Sequence, residues 1–314
     1  MSHQRLQHIL TTGHYALPVA IILALICWGI PFVTPAGQTS WISSVIGFLS
    51  YAVIGYLLIL LNNSFALIRI RASVQTIVYL MLVAACPMIH HLSAEDVATA
   101  FYLLALFMLL FSYQQSTVST QMFYSFLFLG TGSLLYPQLT YFVPLFWIGG
   151  YMFQSLSSRS FFAGCLGWLL PYWFLLAYAY LADDMRLFVD LFGELTTFRF
   201  IFERGFQPWE AATLLYLFIL FAVSSVHDLT NGFQEKMRTR VYMQFFSLLT
   251  LFFFLFVVLQ PEQTSQMLPF LLINVSLLGG HFLALSDSRS SNWFVIFMLM
   301  GLLLLFAFNV WMLL

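Results

Sequence analysis

Residues 182–210 read ADDMRLFVDLFGELTTFRFIFERGFQPWE, the one long stretch of this chain that water would readily hold. Nine of the chain's 23 charged side chains (11 basic and 12 acidic) fall within it. On either side the sequence runs apolar for roughly 17 to 22 residues at a time, the length a helix needs to cross about 30 Å of hydrocarbon. Seven such runs precede the polar stretch and four follow it. Residues 182–210 therefore read as the large extramembrane connection of a polytopic helical protein.

Composition points the same way. Charged residues make up 7% of the 314 positions, against about 25% in a soluble protein, too few to cover a soluble surface. With no water in the bilayer core, each spanning element must satisfy its own backbone, which leaves helices or a closed barrel. Barrel strands alternate apolar and polar residues over about ten positions, and the runs here do not alternate. The net charge of −1 gives no basis for a nucleic-acid partner. Cys27, Cys86 and Cys165 lie scattered inside apolar runs, which offers neither a disulfide framework nor metal-ligand spacing.

The expected spans are 15–33, 42–61, 73–89, 95–112, 119–136, 138–154, 161–181, 210–226, 241–259, 265–284 and 292–313. The first is longer than the core of a signal peptide and lacks a good cleavage site after it, so it reads as uncleaved. Spans five and six are separated at Tyr136-Pro137, because one helix over 119–154 would be about 54 Å long. With the N-terminus in the cytoplasm, Arg5, Arg69, Arg71, Arg159, Lys236, Arg238, Arg240 and Arg289 all fall inside. The three other basic residues, Arg186, Arg199 and Arg204, lie in the outer stretch. This asymmetry fits the positive-inside rule and fixes eleven spans, N-terminus in and C-terminus out. Residues 1–314 form a single integral membrane domain in this reading, with spans 1–7 at 15–181, an outer loop at 182–209 and spans 8–11 at 210–314.

Local signals mark several span ends. Ser93-Ala94-Glu95-Asp96 resembles a capping box, with Asp96 in the place of the usual Glu or Gln. Pro208 and Glu210 suit the first turn of span eight. Trp41, Tyr136, Tyr141, Trp209 and Trp293 fall near the expected interfaces, where aromatic anchors sit. Gln75, Gln121, Asn274, His281 and Asn309 are polar groups inside spans, read as interhelical hydrogen bonds. No Asp, Glu, Lys or Arg lies at the middle of a span, which argues against an ion-coupled pump.

The run Ser125–Leu181, with its GSLLYPQ turn, SLSSRSF inner loop and GWLLPYWF helix, and Asn62-Asn63 at the end of span two, resembles an uncharacterised family of multi-pass inner-membrane proteins common in Bacteroidetes. That resemblance implies a bacterial inner membrane and no activity.

Two places carry candidate chemistry. In the outer stretch Asp183, Arg186, Asp190, Glu194 and Thr197 recur at helical spacing with leucines and phenylalanines between them, an amphipathic helix lying in the outer interface, with a break at Gly193 or Thr196-Thr197. Such a helix closes the bundle; alternatively Arg186, Arg199 and Arg204, with Glu203 paired to Arg199, hold a lipid phosphate. The second place is the outer corner His90, His91, Glu95 and Asp96. These residue types suit a metal or acid–base chemistry, but the spacing matches no ligand motif and Asp96 already has a capping role, so no metal or cofactor is assigned and the corner reads as a solvated cap.

The expected protein is thus all-α, with the lipid bilayer as its first partner. Its function reads as an envelope accessory or assembly protein meeting another envelope protein. The alternative is a lipid-linked glycan transferase or polymerase-like enzyme using the loop 182–210.

Overall fold

Helices form where the apolar runs are uninterrupted and stop where proline or a left-handed residue stops them. The computed structural model describes residues 13, 15–30, 41–68, 73–115, 118–196, 205–232, 235–285 and 289–312. Arg199, Glu203, Arg204 and Thr197 lie outside these residues. The described chain contains twelve α-helices and no strand: α1 Ala16–Trp28, α2 Trp41–Phe65, α3 Val74–Ala84, α4 Ala94–Phe111, α5 Val118–Leu135, α6 Val143–Met152, α7 Ser158–Leu181, α8 Arg186–Thr196, α9 Pro208–Asn231, α10 Met237–Leu259, α11 Thr264–Leu285 and α12 Arg289–Trp311. Seven of them, α2, α4, α7, α9, α10, α11 and α12, are long and apolar enough to cross a membrane.

The other expected spans look different. α5 has the length but interleaves Ser119, Thr120, Gln121, Thr131 and Ser133 with its apolar residues. α3 ends at Ala84, short of the expected 89, because the chain tightens into a 3₁₀ turn at Pro87–Ile89. Expected span six is a 3₁₀ helix, Pro137–Phe142, followed by the ten-residue α6. Proline sets each of these boundaries: Pro87 and Pro137 open the 3₁₀ segments and Pro144 sits in the first turn of α6, where a missing N–H leaves no bond unmade. The turn at Tyr136-Pro137 lies where the sequence places it.

The chain divides into two compact units, residues 1–92 with 204–314, and residues 93–203. In the first, α11 is the core. Of its span 89% is buried, against 22% of α12, so α12 lies at the periphery of the unit. α11 packs against α3, α9 and α10. Gly280 makes the α3 contact possible: a Cβ there would lie 2.7 Å from Gln75 Cα, and small residues are what allow membrane helices this close. Polar side chains then tie helix to helix, as expected for Gln75 and Asn309. Gln75 Nε2 donates to Leu58 O at 3.2 Å, and Asn309 Nδ2 donates to Ala85 O at 2.8 Å. Asn274 Nδ2 donates to Phe270 O on its own helix at 2.8 Å.

In the second unit α5 lies against both α4 and α7. Gly130 and Gly167 permit the α5–α7 approach; a Cβ on Gly130 would come within 2.7 Å of Trp168 O. Ser125 Oγ donates to Ala105 O at 2.8 Å, and Ser133 Oγ and Tyr172 OH bond at 2.7 Å. α8 rests on the 3₁₀ helix and on α7: Tyr141 OH donates to Leu195 O, and the Phe192 and Tyr172 rings lie 5.8 Å apart. α8 runs unbroken through Gly193 to Thr196.

Two of the aromatic anchors are placed otherwise than expected. Tyr136 and Trp209 are buried, while Trp41 and Trp293 are exposed as anchors are. Trp209 sits in the first turn of α9 with its Nε1 donating to Gln207 Oε1 at 3.1 Å, so the indole is used in packing.

Candidate functional site

The two histidines at the corner after α3 face opposite environments. His90 is 2% exposed and its ring stacks on Trp28 of α1 with centroids 4.1 Å apart. Its Nε2 lies 3.0 Å from Val83 O. A carbonyl only accepts, so Nε2 carries the hydrogen. Nδ1 is left buried without a hydrogen-bond partner among the described residues. Burial depresses the His90 pKa to about 4, with the Val83 bond opposing and a charge on His91 adding to the shift. The ring therefore stays neutral at physiological pH. His90 is thus no part of a solvated cap, whereas His91 is exposed.

Ser93 and Asp96 form the capping box that the sequence suggests. Asp96 Oδ2 accepts Ser93 N–H at 2.9 Å and Ser93 Oγ accepts Asp96 N–H at 3.4 Å, satisfying two donors that the start of α4 would otherwise orphan. Glu95 occupies the same first turn, its backbone carbonyl accepting from Thr99 Oγ1. Glu210 plays the matching part at α9. Its Oε2 accepts Gln207 N–H at 2.9 Å and its Oε1 accepts from Ser265 Oγ of α11 at 3.0 Å. Among the outer-stretch candidates, Arg186 opens α8 and is exposed; Arg199, Glu203 and Arg204 lie outside the described residues.

A second constellation appears at the other end of α9. The helix runs to Asn231, past the expected end at 226, and so carries Asp228 in its last turn. A carboxylate there opposes the helix dipole, at a cost of about 0.3–1 kcal/mol. His281 of α11 offsets it: His281 Nδ1 lies 3.1 Å from Asp228 Oδ1, with the side chains 3% and 11% exposed. Facing a carboxylate, which only accepts, Nδ1 carries a proton. His227 Nδ1 stands 3.9 Å from the same oxygen. His281 Nε2 and Asp228 Oδ2 are buried with no hydrogen-bond partner among the described residues. The pair lines a cavity of about 120 Å³ that Glu235, Arg240, Ser225 and Ser247 also border.

Sequence reading names His281 as an intramembrane polar group and passes over Asp228. The available signal is a lone Asp directly after an apolar span whose partner helix carries an intramembrane His. What the arrangement offers is a carboxylate-oriented imidazole, the relation that also orients histidines in metal and catalytic sites. Among the described residues no group of three or more His, Cys, Asp or Glu is placed to hold a metal ion.

Seven helices long and apolar enough to span, with large apolar side chains exposed along them, mark a multi-pass helical membrane protein. Comparison with family models, with curated proteins and with solved structures finds no match.

Proposed function

We propose that this chain is an eleven-span protein of the bacterial inner membrane, N-terminus in and C-terminus out, and that it works as a non-catalytic accessory or assembly protein of the cell envelope. Its amphipathic helix α8 is the surface that meets a partner at the outer interface. The seven long helices, the shorter α1, α3 and α6 and the 18-residue α5 supply the eleven crossings; the 3₁₀ helix before α6 and α6 itself together rise about 27 Å, near the thickness of a bilayer core. The observation that carries the functional reading is how α8 sits. It leaves Leu187 and Val189 exposed beside Arg186 and Asp190. At the outer corner Asp96 is engaged in a cap and His90 on Val83, and Glu210 of the polar stretch is likewise engaged in a cap.

A photo-crosslinking residue at Val189 in living cells, read together with polyprenyl-diphosphate binding, separates this reading from an enzyme built on the loop. The accessory reading predicts one protein adduct at Val189 and lipid-diphosphate binding unaltered by Arg186→Ala, since an exposed charge contributes about 0–1 kcal/mol. Crosslinking to lipid alone, with at least about tenfold weaker diphosphate binding in Arg186→Ala, would overturn it in favour of the lipid-linked glycan enzyme.

A further inference from the structure

We propose that the face of α8 turned away from its own unit docks a partner protein through a lysine- and arginine-rich segment of that partner. The inference rests on the accessory reading above and adds the chemistry of the partner. Phe188, Leu191 and Leu195 are half-buried, and Leu195 O and the Phe192 ring make the contacts of α8 with the 3₁₀ helix and α7. Arg186, Val189, Asp190 and Gly193 recur at i, i+3, i+4 and i+7, the spacing of one helix face, and all four are exposed. At Gly193 that face is open, since an added Cβ would meet no described neighbour within 4 Å. Flanked by Val189 and Asp190 one turn back, this bare position lets a second backbone come close.

Charge decides what that backbone carries. Asp183 and Asp184, in the turn before α8, are exposed with Asp190 and Arg186, three carboxylates to one guanidinium. Asp184 Oδ1 accepts Arg186 N–H at 3.2 Å and so holds the start of the helix. Asp183, Asp190 and Arg186 make no ion pair with a described residue. The whole stretch 182–210 has the same sign, with six acidic residues against three basic. Helices built to lie on a bilayer carry lysine and arginine on the polar face, where anionic headgroups attract them. The excess of carboxylates at α8 repels such a surface and attracts a cationic one. Val189, 60% exposed, and Leu187, 46% exposed, give the contact an apolar centre inside that charged rim, the usual plan of a protein interface.

Photo-crosslinking from Val189 in living cells tests this, with the captured peptide sequenced by mass spectrometry and the adduct yield compared between wild type and two variants. The peptide is expected to carry more Lys and Arg than Asp and Glu. The yield is expected to fall about threefold or more in Asp183→Asn/Asp190→Asn, the effect of losing two exposed ion pairs together. It should rise in Arg186→Gln, which removes the one repelling charge. Both variants alter exposed side chains, and asparagine also adopts the φ of 56° found at Asp183, so the fold is retained. The opposite signs of the two effects separate charge from local unfolding. A neutral or acidic captured peptide, or equal yields in all the proteins, overturns the inference and leaves the accessory reading standing. Labelling of lipid alone in the wild type, with no protein adduct, overturns both.

Discussion

At the scale of single residues, His90 has the clearest measurable consequence. In the unfolded chain its imidazole protonates near 6.5; buried on Trp28 it resists until about 4. The folded pKa is the lower one, so its stabilising effect is complete above about pH 6.5 and is lost as the pH falls towards 4, the unfolded chain taking up a proton that the fold excludes. The whole shift corresponds to roughly 3 kcal/mol. Equilibrium unfolding in micelles at pH 7.5 and pH 5 should show the wild type losing about 2 kcal/mol more than His90→Phe. The variant keeps a ring on Trp28 and gives up the Val83 bond, so it starts lower and changes less. An equal loss in both proteins would mean that His90 is solvated. Sequence reading reaches the Ser93–Asp96 box and Glu210 because a cap spans three residues of one chain segment. It does not reach His90 burial or the Asp228–His281 contact, since the first depends on Trp28 of a distant helix and the second joins residues 53 apart.

Among the helices, the informative comparison lies within α11. Two adjacent glycines do different things: a Cβ on Gly280 would strike Gln75 backbone atoms at 2.7 Å, whereas one on Gly279 would meet only Val78 Cγ1, at 3.9 Å. Gly280→Ala is therefore expected to cost about 1–3 kcal/mol by forcing α3 and α11 apart. Gly279→Ala should be neutral or stabilise by up to about 1 kcal/mol, since alanine is the better helix former. Thermal unfolding of the two variants in one detergent checks this; matched losses would contradict the α3–α11 packing. Apolar runs announce that helices exist and proline announces where they stop, as at Pro137. Neither says which face of α11 must be bare, nor that α11 rather than α12 is the core, because α11, with a mean hydropathy of 1.8, is the less apolar of the two and α12, at 2.4, is the more exposed. The extension of α9 beyond residue 226 is a further case: His227 and Asp228 read as loop by polarity, yet His281 makes the polar turn worth keeping helical.

For the molecule as a whole, the all-helical, membrane-spanning class is readable from a 7% charge content and the length of the apolar runs. Seven long helices agree with it, and the proposed eleven crossings add α1, α3, α5 and α6. Threading also decides what each surface can meet. α8 lies outside only if the count is odd between the N-terminus and residue 182, and the Asp228–His281 cavity with Arg240 then opens towards the cytoplasm. The basic residues carry this argument: the proposed threading puts Lys236, Arg238 and Arg240, which follow α9, on the inner side and Arg186 outside, as the positive-inside rule favours. Topology reporters fused after Glu194 and after Arg240 measure it directly. The account predicts that the Glu194 fusion is active only outside the cytoplasm and the Arg240 fusion only within it; both fusions reporting from the same side of the membrane would contradict it.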